Sequence, residues 1–142
     1  MDRDEMLARE DAAWKAFVAS VDALPEDRRD VEGVVPGWSA KDLAWHNGYW
    51  AGYVGDVLEA IGAGRPVPAD QDWDALNDQV IVDGRAMSWD DIWTRSEENR
   101  SRARAALAAL TEVTAVAEEE FSGETYEHYE EHTAEVAAFA AA

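Results

Sequence analysis

Apolar residues in this sequence recur every three or four positions over four stretches, and this spacing limits the fold more than any other feature. It places apolar side chains on one face of an α-helix and polar side chains on the opposite face. No segment shows a convincing strand pattern, so we expect an all-α fold: a four-helix bundle with a short extra helix in the connection between its second and third helices. The predicted bundle helices span about residues 4–24, 39–61, 88–110 and 125–142.

Capping and breaking residues set the ends of these helices. Pro25 ends the first helix, because proline cannot continue the backbone hydrogen bonds. Ser39 and Ser88 are placed to cap the second and third helices, and an aspartate follows each of them three residues later, as in a capping box. These two aspartates are Asp42 and Asp91.

The connections are less regular. Asp72–Asn77 predicts the short extra helix, whereas Val80–Val82 has strand propensity but no strand to pair with. Residues 111–121 are expected to form a further helical piece. Ser122–Gly123 is expected to break the chain, and Thr125 to cap the last helix.

The polar side of the third helix carries a mixture of charges. Glu98 and Arg102 are four residues apart and of opposite sign, so they can pair along the helix. A solvated face is the simplest explanation for such a mixture, and we expect all of its members to be exposed. They are Glu97, Glu98, Arg100, Arg102 and Arg104.

The composition limits the kinds of partner. With 31 acidic and 12 basic residues the formal net charge is −19, which repels phosphate backbones and anionic lipid, so we expect no nucleic-acid and no membrane partner. No apolar run approaches the roughly 18 residues of a membrane span, and no signal peptide is evident. We expect a single cytoplasmic domain over residues 1–142 that acts on a small molecule and that can form a homodimer.

The three histidines suggest a metal site. His128 and His132 are four residues apart, so a helix would place both imidazoles on one face. His46 falls on the apolar face of the second helix. Cysteine is absent, so any metal must be held by histidine and carboxylate; three imidazoles suit Zn, Ni, Fe or Co and leave positions open for water or substrate. The alternative is that each histidine is an ordinary surface or hydrogen-bonded core residue.

Three motifs together resemble the DinB-like superfamily. They are Gly37–His46 (GWSAKDLAWH), the pair of segments Asp72–Asn77 and Ser88–Ile92, and the late His128–His132 (HYEEH). The resemblance covers nearly the whole chain in the same order. In that superfamily a four-helix bundle binds a divalent metal through one histidine of the first motif and two of the last. The resemblance therefore implies that the metal ligands here are His46, His128 and His132.

The resemblance also implies a range of activities. Members of the superfamily include S-transferases that use mycothiol or bacillithiol, a maleylpyruvate isomerase branch, and hydrolases that protect producers from their own toxic metabolites. We expect a divalent-metal-dependent enzyme that transfers a low-molecular-weight thiol to an electrophile. The alternatives are a metal-dependent hydrolase and a non-catalytic protein that sequesters a ligand for detoxification or self-resistance. The chain lacks the further C-terminal domain of the isomerase branch, which disfavours that branch.

Candidate residues for the chemistry lie close to the histidines in sequence. Carboxylates near a metal can transfer protons, and Glu124 and Glu131 bracket the histidine face of the last helix, whereas Glu127 does not. These are the predicted catalytic residues, with solvated helix carboxylates as the alternative.

Substrate contacts are predicted on the second helix and in the middle motif. Trp50 and Tyr53 lie one and two turns beyond His46 and could form the wall of an apolar pocket, although tryptophans in a small bundle usually belong to the core. Asn77 is a substrate candidate because of its place in the motif resemblance.

Overall fold

A computed structural model describes all 142 residues. The chain forms six α-helices and a short 3₁₀ turn at Glu26–Arg28, with no β-strand and only an isolated bridge between Val35 and Trp38. The predicted all-α bundle is confirmed. No helix combines the length and the apolar character needed to span a membrane. The helices are α1 (Arg3–Asp22), α2 (Ala40–Gly62), α3 (Trp73–Arg85), α4 (Trp89–Ala109), α5 (Ala115–Glu124) and α6 (Tyr126–Ala141).

Four long helices form the bundle, and the two shorter ones pack on it. The most extensive contacts join α2 to α4 and α1 to α6, whereas α3 and α5 both lie against α2. The predicted extra helix between the second and third bundle helices is α3. Side chains from all six helices fill one continuous core. Its largest fully buried members include Phe17, Leu58, Leu107, Phe121 and Tyr129.

Local capping explains why α2 and α4 begin where they do. Ser39 and Asp42 form a complete capping box: the Ser39 hydroxyl accepts from the Asp42 N–H at 3.1 Å, and the Asp42 carboxylate accepts from the Ser39 N–H at 2.9 Å. Arg85 at the end of α3 also donates to Asp42. At Ser88 the hydroxyl accepts from the Asp91 N–H. Both predicted helix starts are confirmed.

The prediction for the junction before the last helix is wrong. Ser122 and Gly123 both lie inside α5. Gly123 is on the exposed side of this helix, so the absence of a side chain there leaves no cavity in the core. The helix instead ends at Thr125, with φ −118° and ψ −100°. The Thr125 hydroxyl donates backward to the Phe121 carbonyl and does not cap α6. The Val80–Val82 run is helical, as expected for a segment without a partner strand.

The expectation that the polar face of the third bundle helix is solvated is confirmed for its two glutamates and Arg102, which are exposed, but is wrong for Arg100. Arg100 is only 5% exposed, and its guanidinium binds both oxygens of Glu10 on α1, at 2.7 and 2.8 Å. Glu10 is 1% exposed and also accepts from Arg104 at 2.9 Å. A buried, paired charge of this kind fixes the relative position of two helices, and breaking it is costly.

Small residues allow α2 and α4 to approach closely. Gly48 on α2 faces Ser96 on α4, and a Cβ atom at position 48 would lie 2.0 Å from the Ser96 Oγ and 3.1 Å from its Cα. Asn99 donates to the backbone carbonyl of Gly48 at 3.0 Å. Arg102 pairs with Asp56 of α2, not with Glu98 as predicted. Arg102 thus forms an ion pair between α4 and α2 in place of the predicted pair within α4.

Gly48→Ala tests this close approach. The added methyl group would collide with the α4 backbone, so we expect the free energy of unfolding to fall by about 1–3 kcal/mol, as in other overpacked cores. Gly123→Ala is the control, because a Cβ at position 123 meets nothing within 4 Å and alanine stabilises a helix by about 0.5–1 kcal/mol relative to glycine. Urea unfolding measures both changes. Equal stability of the two variants would contradict the packing described.

Candidate metal centre

The three histidines meet between α2 and α6. His128 and His132 occupy successive turns of α6, and His46 lies in the second turn of α2 on the face that packs inward. The ring centroid of His46 lies 4.7 Å from that of His128 and 5.3 Å from that of His132, and the centroids of His128 and His132 are 4.6 Å apart. The structure therefore brings all three predicted ligands together.

One nitrogen from each ring points into a shared space. Three such nitrogens lie within 4.8 Å of one another, and the Nε2 atoms of His46 and His128 are only 2.9 Å apart. The Nε2 of His132 is buried and has no hydrogen-bond partner in the protein. Buried polar nitrogens without partners are costly, and a cation held by all three rings would satisfy them.

The electrostatics of the cluster also suit a metal. Burial, with smaller contributions from His128 and His132, lowers the pKa of His46 to about 2. Burial, with a smaller contribution from His132, lowers the pKa of His128 to about 3. Both rings are therefore neutral at pH 7, which is the form that binds a metal. A set of three neutral imidazoles fits Zn, Ni, Fe or Co.

Glu135 is a component of the cluster that the sequence analysis missed. Its Oε2 lies 3.1 Å from the Nδ1 of His132, so the Nε2 of this ring is the one left facing the cluster. A carboxylate in this position fixes the tautomer and orientation of a ligating histidine. The three-residue spacing on one helix was the available signal, but it is common among helix residues and carries little weight alone.

A cavity of about 640 Å³ lies beside the histidines. It contains every residue predicted for catalysis or substrate contact, whereas the exposed Glu127 lies outside it. The Trp50 Nε1 donates to the Asn77 Oδ1 at 3.0 Å, which fixes both side chains. Seven of its 14 lining residues were not predicted for the site, and Asp70, Trp73 and Glu120 are the charged or aromatic residues among them. The predicted residues that line it are His46, Trp50, Tyr53, Asn77, Glu124, His128 and Glu131.

The bundle and its histidine cluster define the class: this is a DinB-like helical fold. Within that class, residues 7–118 match the family model described as the mycothiol maleylpyruvate isomerase N-terminal domain, and the chain belongs to this family. The match includes His46 and ends before the late histidine pair. No curated protein matches the sequence.

A solved structure shows the same fold. The crystal structure of the mycothiol-dependent maleylpyruvate isomerase superposes with a TM-score of 0.79 over 96% of this chain, at 16% sequence identity. The chain spans 61% of the length of that isomerase chain. The expectation that the chain falls outside the isomerase branch is wrong for this domain. The family that it matches is the N-terminal domain of that branch, and a match to this domain does not depend on whether a C-terminal domain is present.

The lowered pKa values predict how the metal-free protein responds to pH. Below pH 6.5 the unfolded chain takes up protons on His46 and His128, whereas the folded chain takes them up only near pH 2 and pH 3, respectively. Acidification therefore favours unfolding, and stability is lost as pH falls below 6.5. At pH 5.5 we expect each of the two histidines to cost about 1.4 kcal/mol relative to pH 7.5.

Urea unfolding of chelator-treated protein between pH 5.5 and 7.5 measures this dependence. The double variant His46→Gln, His128→Gln is the comparison, because glutamine does not titrate and its stability should change much less over the same range. Parallel curves for the two proteins would show that the histidines are not buried in neutral form.

Proposed function

We propose that this chain is a divalent-metal-dependent enzyme that transfers a low-molecular-weight thiol of the mycothiol type to an electrophile. The observation that carries the proposal is the cluster of His46, His128 and His132 beside a cavity of about 640 Å³. Membership of a family named for a mycothiol enzyme supports the choice of thiol.

The three histidines would hold the metal, and Glu135 would orient His132. A divalent cation bound by neutral imidazoles lowers the pKa of a thiol or water bound to it and so supplies a nucleophile near neutral pH. His46 and His128 border the cavity themselves, so the nucleophile would form where a substrate can reach it. The buried side of the cluster, between α2 and α6, excludes bulk water from the histidines.

Glu124 is the carboxylate best placed to accept the proton that the thiol loses. Burial, and then the charge of Glu120, raise the pKa of Glu124. A general base works best when its pKa approaches the working pH, so this environment favours the role. Glu131 also lines the cavity but is exposed, and we assign it the secondary role.

The substrate would lie along α2 and α3. Trp50 and Tyr53 form a wall of the cavity, with ring centroids 5.1 Å apart. The side-chain oxygen of Asn77 already accepts a hydrogen bond from Trp50. The side-chain NH₂ group of Asn77 is therefore available to donate to a substrate oxygen. These three residues would therefore orient the electrophile and would not take part in proton transfer.

We also propose a domain organisation, a location and an oligomeric state. The chain would be a single cytoplasmic domain that forms a homodimer. Gel filtration with light scattering would establish the oligomeric state directly.

Metal content and turnover test the central proposal. We expect about one equivalent of a first-row divalent metal per chain. His46→Ala removes one of three ligands and should lower metal affinity by more than the roughly 10- to 100-fold typical of an outer-shell change, with turnover falling in parallel. Elemental analysis and an assay of mycothiol conjugation to epoxides, Michael acceptors and aryl halides measure these effects.

The matched control is Glu127→Gln on the same helix as two of the ligands, which should keep both metal and turnover. Conversion that persists in His46→Ala would contradict the metal mechanism. Conversion that does not require the thiol would instead indicate a hydrolase, and stoichiometric protection without turnover would indicate sequestration.

Glu124→Gln tests the proton acceptor. Loss of a general base costs about 10²- to 10⁴-fold in rate, so we expect kcat to fall within that range while metal content stays unchanged. The base must be deprotonated to act, so wild-type activity should rise with pH through the raised pKa of Glu124, and the variant should lose this step. An unchanged pH–rate profile in the variant would exclude Glu124 from the role.

A further inference from the structure

The cavity beside the histidines carries an unbalanced negative charge. Four carboxylates line it, and no lysine or arginine does. The carboxylates come from three separate parts of the chain, so their convergence is a property of the fold. They are Asp70, Glu120, Glu124 and Glu131.

None of these four carboxylates has a basic partner. Elsewhere five arginines pair with acids, and these pairs include Arg100 with Glu10, Arg85 with Asp42, and Arg102 with Asp56. No ion pair involves a carboxylate of the cavity. With a net charge of −19, arginine and lysine are scarce in this protein. Their distribution leaves the cavity as a place where a positive charge would be stabilised.

Three aromatic rings form a wall of the same cavity. Trp50 and Tyr53 project from α2, and Trp73 is the first residue of α3. The ring centroid of Trp50 lies 5.1 Å from Tyr53 and 5.8 Å from Trp73, and the third pair is 5.7 Å apart. The three ring planes are inclined to one another by 55–85°, so the faces of the three rings point in different directions. Aromatic faces attract cations, tryptophan most strongly.

We propose that the substrate of this cavity carries a positively charged group, such as a substituted ammonium, that binds between the aromatic wall and the carboxylates. This inference deepens the proposed function, on which it rests, by assigning the substrate class of the same site. The reactive part of the molecule would then face His46 and His128. In the metal-free protein an anionic ligand would meet four carboxylates without a compensating arginine or lysine, and its binding would be opposed.

Three benzyl compounds of equal ring size and different charge test this inference. Benzyltrimethylammonium, benzyl alcohol and phenylmethanesulfonate carry charges of +1, 0 and −1, and the quaternary ammonium cannot coordinate a metal. We expect the cation to bind at least about tenfold more tightly than the alcohol, with no measurable binding of the sulfonate. Titration calorimetry and tryptophan fluorescence measure these affinities, and binding of the cation should weaken with added salt.

Paired variants separate the cavity from the overall negative charge of the protein. The double variant Glu120→Gln, Glu124→Gln removes two cavity carboxylates and should weaken cation binding about three- to fivefold for each. The control Glu119→Gln, Glu127→Gln removes the same charge from exposed positions outside the cavity, and it should leave the affinity unchanged. Trp73→Leu should weaken binding about tenfold.

The outcomes distinguish this inference from the proposed function, because binding can be measured in His46→Ala without metal or turnover. Preferential cation binding in that variant supports the inference even if thiol transfer is never found. Equal binding of the cation and the alcohol, or equal effects of the cavity and control double variants, would overturn the inference while leaving metal-dependent thiol transfer intact.

Discussion

The burial of three imidazoles between two helices is the interaction on which the rest of this structure depends. Their nitrogens are withdrawn from water, and the protein provides only the contact between His46 and His128 and the carboxylate beside His132 in compensation. Such an arrangement is unfavourable in an otherwise apolar core. The surrounding bundle must therefore hold α2 and α6 firmly enough to keep the three rings together, and the proposed cation would give the Nε2 of His132 a partner.

Rigid contacts distant from the histidines provide this support. The close approach at Gly48 fixes α2 against α4, and the buried pair of Glu10 and Arg100 fixes α4 against α1. In turn, α1 packs along α6, so the helix that carries two of the histidines is tied to the helix that carries the third through the whole bundle. The position of each ring is a consequence of packing over the full length of the domain.

Features that depend on short-range sequence could be predicted, whereas features that depend on long-range contacts could not. The bundle class, the starts of α2 and α4, and the approach of His46 to the late pair follow from helical spacing, capping and motif resemblance. Arg100 was misjudged because its partner lies 90 residues away and an arginine on a polar stripe gives no sign of burial. The break at Thr125 was misplaced because Ser122 and Gly123 have the composition of a turn but lie in a helix. The roles of Asp70 and Trp73 arise from how α3 folds back on α2, which periodicity does not specify.

The interruption at Thr125 divides the cavity into two kinds of wall. Helix α6, after the interruption, carries the late histidines, whereas α5 before it carries Glu120 and Glu124, and α3 carries Trp73 on the far side. Substitutions at Trp73 and Glu120 can therefore alter the wall and the charge of the cavity without moving the ring nitrogens. Such a scaffold can acquire new specificities while it retains a single reaction centre, because Trp73 lies on a helix that carries neither the histidines nor Glu124.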